Sequence, residues 1–217
     1  MDNFKGLIFD LDGVIVDTAK YHFIAWKQTA DMLEIPFTEK DNERLKGVSR
    51  MRSLEIILEI GGRKISEQEK ENLCAVKNEI YLGYIRQLSE NEILSGTKEF
   101  ISDARAGGYA VALGSASKNS LLILERLGID GLFDAIIDGN SVNSAKPDPE
   151  VFIKAAEALK LRNEDCIVFE DAHAGIQAAH AAGMKAVGIG NPDNLPGADI
   201  VFPGFAGITL DRIITLL

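Results

Sequence analysis

Apolar residues recur along this chain in two rhythms. From Phe4 to Asp10 the sequence runs Phe-Lys-Gly-Leu-Ile-Phe-Asp, an apolar run of strand length closing on an acid. Over residues 19–87 the period lengthens. Phe23, Trp26, Ala30 and Leu33 return at three- and four-residue spacing, which predicts one packed helix face. Leu54, Ile57, Leu58 and Gly61 outline a second helix stopping at the Gly61-Gly62 pair. Ser66, a good N-cap residue, opens a third from Glu67 to Leu88.

Beyond Leu88 strand-like and helix-like segments alternate. Tyr109–Ser115, Ala135–Asp138, Cys166–Glu170, Lys185–Ile189 and Ile200–Phe202 are short apolar runs. Between most of them lie helical patterns at Thr97–Ala106, Asn119–Leu127, Pro149–Lys160 and Ala174–Ala182, several closed by a glycine such as Gly107, Gly128 or Gly183. Strands alternating with helices of this length imply right-handed crossovers and a doubly wound parallel sheet, Rossmann-like, covered on both faces. The expected fold class is therefore α/β. No internal repeat or low-complexity stretch interrupts it.

Composition narrows the function more than the fold. The chain has 217 residues, 46% hydrophobic and 26% charged, as in ordinary globular proteins. Its 23 Lys+Arg against 33 Asp+Glu give a net charge of −10, which argues against nucleic acid or an anionic membrane as partner. That charge is uneven: residues 18–88 sum to +1 and the remainder to −11. No apolar stretch approaches a membrane span, and Asp10 and Asp12 stop the first apolar run too early for a signal peptide. Cys74 and Cys166 lie far apart, outside any metal-ligand spacing, and read as small apolar residues in a reducing, cytoplasmic setting. A monomer is expected.

In an open parallel sheet, ligands bind beyond the carboxyl ends of the strands. Taken in turn, those ends carry Asp10 and Asp12, then Ser115, then Glu170-Asp171, with Lys146-Pro147 in the loop before the Pro149 helix. If the first strand is central, these residues converge. Clustered carboxylates repel unless a cation joins them, and an all-oxygen set favours Mg²⁺ with a substrate phosphate. Asp10 is then placed to attack a phosphoryl group, and Asp12, across a tight Gly13 turn, to move a proton. Ser115 and Lys146 would hold phosphoryl oxygens. Each feature alone has an ordinary reading: Asp-x-Asp-Gly as a turn, Glu-Asp as a helix N-terminal pair, Lys-Pro as a loop. Their joint placement at successive strand ends carries the chemistry.

Phe9-Asp10-Leu11-Asp12-Gly13-Val14, Gly114-Ser115, Lys146-Pro147 and Glu170-Asp171 resemble the four successive motifs of the haloacid dehalogenase superfamily of phosphotransferases. The resemblance implies a catalytic core of residues 1–16 and 89–217 with a small α-helical cap inserted at 17–88. It implies Asp10 as nucleophile, Asp12 as general acid/base, and Mg²⁺ held by Asp10, Glu170, Asp171 and the backbone carbonyl of Asp12. Ala172, where many relatives carry a hydroxyl, and Gly114, where close ones often carry alanine, depart from the pattern without removing a ligand.

The insertion is similar to that of hexose-phosphate mutases in the superfamily. The residues that carry this are Asp17 to Trp26, Leu45 to Arg50, Lys77-Asn78 and, in the core, Ser115 to Asn119. The implied reaction interconverts β-glucose 1-phosphate and glucose 6-phosphate, with β-glucose 1,6-bisphosphate as intermediate and activator. Such an enzyme holds two phosphates at once. Ser117, Lys118 and Asn119 offer a hydroxyl, a cation and an amide at a helix start, and Arg50 could close over the same phosphate with a fork of donors. Gly47, Val48, Ser49 and Ala116 flank these groups. His22 and Lys77 would help position Asp12 and the sugar, and Asp17 and Thr18 would form the hinge. Trp26 falls among the sugar-contacting positions but is read as packing, without a catalytic role. The alternative is a Mg²⁺-dependent sugar-phosphate phosphatase with the same Asp10 chemistry. A phosphonatase would need a cap lysine, for which Lys46 is nearest, but Asp12 speaks against that branch. A non-enzymatic binding module would be expected to lack one of the core residues.

Overall fold

The computed structural model describes residues 4–45 and 48–217. The run at the start of the chain forms β1 (Gly6–Phe9), and all four of its residues are buried. Its side chains alternate between two cores. Leu7 and Phe9 join a cluster with Phe100, Phe169 and Phe205, whereas Ile8 points to the opposite face with Ala112, Phe152 and Val168. Burial on both sides is what a central parallel strand requires.

Five further strands follow: β2 (Ala110–Gly114), β3 (Ala135–Ile137), β4 (Cys166–Glu170), β5 (Lys185–Ile189) and β6 (Ile200–Phe202). All pair in parallel in the order β3-β2-β1-β4-β5-β6. Strand order therefore reverses at β1, with Phe9 in register with Leu113 on one side and Phe169 on the other. That reversal opens the crevice in which doubly wound sheets bind ligands. The first strand is central, as the convergence of the strand-end residues required.

Helices α1 (Ala19–Met32), α2 (Glu39–Asn42), α3 (Arg50–Ile60) and α4 (Glu67–Ile85) lie between β1 and β2 in sequence. They share a separate apolar cluster that includes Trp26, Ala30, Phe37, Leu54, Ile57 and Cys74. Ala25, Tyr81 and Ile85 instead join the sheet's own core. Val16 bridges Ile93, and the Leu94 N–H donates to Ile15 O at 2.9 Å, so the outgoing and returning chains are fastened together. Helices α5 (Thr97–Ala106), α6 (Ser120–Leu127), α7 (Glu150–Leu159), α8 (His173–Ala181) and α9 (Leu210–Leu216) complete the layers. No helix among the described residues is long and apolar enough to cross a membrane.

The differences from the sequence reading are local. α4 ends at Ile85, three residues before Leu88, yet Leu88 is still buried against the core. Gly107 closes α5 with an ordinary φ of −75°, and it is Gly108, at φ 87°, that makes the left-handed turn. α7 ends at Leu159, and its cap Lys160 takes the left-handed conformation with φ 60° without a glycine. The short helices α2 and α9 were not expected. Each opens at a threonine cap, Thr38 or Thr209, but is too brief to show a helical period. Gly114 has a packing reason: a Cβ there would lie 2.9 Å from Phe152 Cδ1 and 3.0 Å from Ile8 Cγ2.

Candidate active site

The end of β1 places Asp10 at the crevice, and the chain turns back immediately. The Asp10 N–H continues the ladder by donating to Phe169 O at 2.9 Å. Gly13 takes φ 80° in the turn that follows, and any side chain there would overlap the Asp171 carboxylate. Lys146 reaches in from the loop before α7 and is only 4% exposed. Its Nζ donates to Asp10 Oδ1 at 2.6 Å and to Glu170 Oε1 at 2.5 Å. The second Glu170 oxygen accepts from the Ala172 N–H at 2.8 Å. Ala172 stands where many members of the resembled superfamily carry a hydroxyl, and its backbone N–H alone supplies this bond. Ser115 is buried at the end of β2, where its Oγ accepts from the Ser117 N–H at 3.1 Å.

Carboxylate oxygens of Asp10, Glu170 and Asp171 all lie within 4.8 Å of one another. Lys146 is the ammonium shared by Asp10 and Glu170, so one buried negative charge of that pair is left over. Burial raises Glu170, reinforced by Asp10 and opposed by Lys146. Burial alone would lower Lys146, but Asp10 and Glu170 outweigh it and lift the ammonium above the usual lysine range. An all-oxygen, over-charged set of this kind fits a hard divalent cation.

Asp12 faces the helical layer. Its Oδ1 accepts the Thr18 hydroxyl, and its Oδ2 lies 3.9 Å from His22 Nε2. Enclosure and the Asp10 charge push its carboxyl up to about 6, against the pull of Thr18, Lys77 and Lys146. A carboxyl in that range can both take and give a proton near neutral pH. Lys77 Nζ lies 2.8 Å from His22 Nδ1. With the ammonium donating, His22 carries its own hydrogen on Nε2, toward Asp12. Enclosure, then the charges of Lys77 and Arg50, hold His22 well below the usual range and so neutral.

Lys77 read alone as a solvated lysine; it is 2% exposed, over the rings of Trp26 and Tyr81. Burial, then the Arg50 charge, lower it to about 7. Below pH 7 both folded and unfolded chains hold its proton, and the folded state bears the full cost of the buried charge. Between about 7 and 10.5 only the unfolded chain holds it, so stability gains with rising pH. Lys77→Met is therefore expected to unfold at higher denaturant than wild type at pH 6. The gap should narrow as pH rises through that window, as paired denaturation curves would measure.

One cavity of about 310 Å³ gathers most of these groups. It is lined by Asp10, Asp12, Ser115, Lys146, Glu170 and Asp171 from the sheet ends, and by His22, Trp26, Val48, Ser49, Arg50 and Lys77 from the helical layer. Ala116, Ser117, Lys118 and Asn119 line it ahead of α6. Asp17 and Thr18 do not line it. Asp17 accepts from the Ala19 N–H at 3.2 Å, and Thr18 is fully buried beneath Asp12. Gly47 and Lys46 lie outside the described residues.

The sequence reading passed over Asn42, Ser53 and, in the loop 139–145, Gly139 and residues 142–145, which also line the cavity. Ser53 is three residues after Arg50 on one helix, a spacing that would have found it. The loop follows β3, a three-residue strand whose end carries no acid in a motif. It supports the segment before α6: the Gly139 N–H donates to Ser117 O at 3.1 Å and Asn140 Nδ2 to Lys118 O at 3.0 Å.

Residues 4–183 match the haloacid dehalogenase-like hydrolases, and the chain belongs to that family. Within it, the chain is 44% identical to β-phosphoglucomutase of Bacillus subtilis, over 96% of this chain and 93% of that protein. It is 32% identical to a phosphorylated carbohydrates phosphatase of Thermotoga maritima, over 84% and 83% of the two chains. The crystal structure of β-phosphoglucomutase from Clostridium difficile superposes with a TM-score of 0.94 at 40% identity, covering 98% of this chain and 96% of that one.

Proposed function

We propose that this chain is a β-phosphoglucomutase, converting β-glucose 1-phosphate to glucose 6-phosphate through an aspartyl phosphate at Asp10. The observation that carries the reading is the pairing of two anion-handling sets in one cavity. Asp10, Ser115 and Lys146 form the first; Ser117, Lys118, Asn119 and Arg50 form the second. Hydrolysis of a small phosphate ester needs the first set alone. The 44% identity to the Bacillus enzyme supports the same conclusion.

In this reading residues 1–16 and 89–217 are the catalytic core and 17–88 the cap, with Asp17 and Thr18 at the hinge. The phosphoryl group on Asp10 passes to the C6 hydroxyl of β-glucose 1-phosphate while Asp12 takes the hydroxyl proton. The resulting β-glucose 1,6-bisphosphate turns end for end. The Asp10 carboxylate then attacks phosphorus on the C1 side, and Asp12 returns its proton to the departing sugar oxygen. Bisphosphate is thus both intermediate and activator. Lys146 and Ser115 hold the transferring oxygens, and His22 with Lys77 keeps Asp12 oriented toward the sugar. Asp10, Glu170, Asp171 and the Asp12 carbonyl would hold Mg²⁺, which supplies charge neutralisation for the approach of a carboxylate to a phosphate. Cap closure that assembles Asp12 only around a sugar would keep water from competing for the aspartyl phosphate.

Arg50→Ala tests the second set. The concentration of bisphosphate needed for half-maximal turnover is expected to rise by about 10- to 100-fold, the loss of a charged fork on phosphate. Hydrolysis of a small aryl phosphate should change by less than about threefold, since truncating a distant contact spares the reacting centre. Equal losses in the two assays would mean that Arg50 reads no second phosphate, and would favour a sugar-phosphate phosphatase.

A further inference from the structure

Asn78 follows Lys77 on α4 but does not line the cavity. Its Oδ1 accepts from Asn119 Nδ2 at 3.0 Å, a bond from the helical layer to the start of α6. Asn119 lines the cavity and occupies the N-cap position of α6, yet its side chain makes no capping bond. The surrounding backbone is held from the core side by Gly139 and Asn140, and Ser120 Oγ donates to Ser117 O at 2.8 Å. The side chain of Asn119 is held from the other side, by Asn78.

A carboxamide has a donor end and an acceptor end of nearly equal shape, and half a turn exchanges them. Which end meets an anion decides whether the contact attracts or repels. With Asn78 Oδ1 as the acceptor, the Asn119 amino group is the end held on this side, and turning Asn119 alone would set two carbonyl oxygens against each other. One N–H is spent on Asn78, and the second stays with the donor side. Meanwhile the neighbouring Lys77 contacts His22, and through it the region of Asp12. Two adjacent residues of α4 thus serve opposite ends of one substrate.

We propose that Asn78 is a positioning residue that sets the Asn119 amide as a donor to the second phosphate of the sugar, and that it couples this donor to the seating of α4 over the core. The proposal rests on the phosphomutase reading of the cavity. Asn78 touches no substrate and takes no part in phosphoryl transfer. Its effect should be confined to ligands that bear a phosphate remote from Asp10.

A double-mutant cycle tests it with Asn78→Ala, Asn119→Ala and the pair. Asn78→Ala is expected to raise KM for β-glucose 1-phosphate about 5- to 10-fold, the range for one lost hydrogen bond, with kcat within about twofold. Hydrolysis of p-nitrophenyl phosphate, which has no second phosphate, should be unchanged. In the Asn119→Ala background the same substitution should add almost nothing. Asn78→Ser, which keeps an oxygen acceptor, should recover part of the loss. Effects that multiply across the cycle would overturn the proposal, as would an equal fall with p-nitrophenyl phosphate or an unchanged KM. If wild type makes no glucose 6-phosphate, the phosphomutase reading fails by itself. The Asn78 cycle is then read on the affinity for β-glucose 1,6-bisphosphate, which carries a remote phosphate, by titration calorimetry without Mg²⁺, with the same pattern expected.

Discussion

Asp10→Asn is expected to lower turnover by roughly 10⁴- to 10⁶-fold, the scale of losing a nucleophile outright. Asparagine keeps the shape of the side chain and an oxygen for Lys146, which now sits 2.6 Å from Asp10 Oδ1. What it loses is the ability to attack phosphorus and carry the phosphoryl group. The direct check is covalent labelling: wild type with Mg²⁺ and ³²P-labelled bisphosphate should yield an acid-stable, alkali-labile phosphoprotein. The variant should yield none while melting close to wild type. A label that survived the substitution would place the acceptor on another residue.

Lys146→Met has the next largest expected effect, and it falls on stability. Lys146, Asp10 and Glu170 are all nearly buried, with Nζ at 2.6 and 2.5 Å from the two carboxylates. Removing the cation leaves two like charges side by side, and breaking a buried pair in this way costs about 3–5 kcal/mol. For a chain of this size that is a fall in Tm of roughly 10 °C in the presence of EDTA. A divalent cation held by Asp10, Glu170 and Asp171 would restore part of the missing charge. Mg²⁺ should therefore raise the Tm of the variant more than that of wild type. Equal shifts in both proteins would contradict the shared-charge account of the cluster.

The sequence carried the sheet well because each strand is short, apolar and bounded by turn residues. It placed the acids of the cavity because they stand where strands end, and Lys146 because a Lys-Pro pair marks the loop before α7. β4, β5 and β6 have the very limits the apolar runs predict. The helical layer was harder to read. Tyr81 stands one turn on from Lys77 along α4, but Trp26, the other ring over it, belongs to α1, which meets α4 only in three dimensions. Gly114 looked like a departure until Phe152, far along the chain, explained its missing Cβ. The loop 139–145 follows a three-residue strand with half-buried side chains, too weak an apolar run to draw attention to its end. Asn78 gives no sign in sequence of its bond to Asn119, 41 positions away.

The central claim is that one cavity moves a phosphoryl group between two positions of a hexose rather than to water. Purified protein with Mg²⁺, β-glucose 1-phosphate and a trace of β-glucose 1,6-bisphosphate tests it in a single tube. Glucose 6-phosphate is followed with a coupled dehydrogenase, and free phosphate is counted alongside. Rapid glucose 6-phosphate with little free phosphate, and no turnover of the α-anomer, is the expected result. Stoichiometric free phosphate without glucose 6-phosphate would contradict the claim and leave a phosphatase built on the same Asp10.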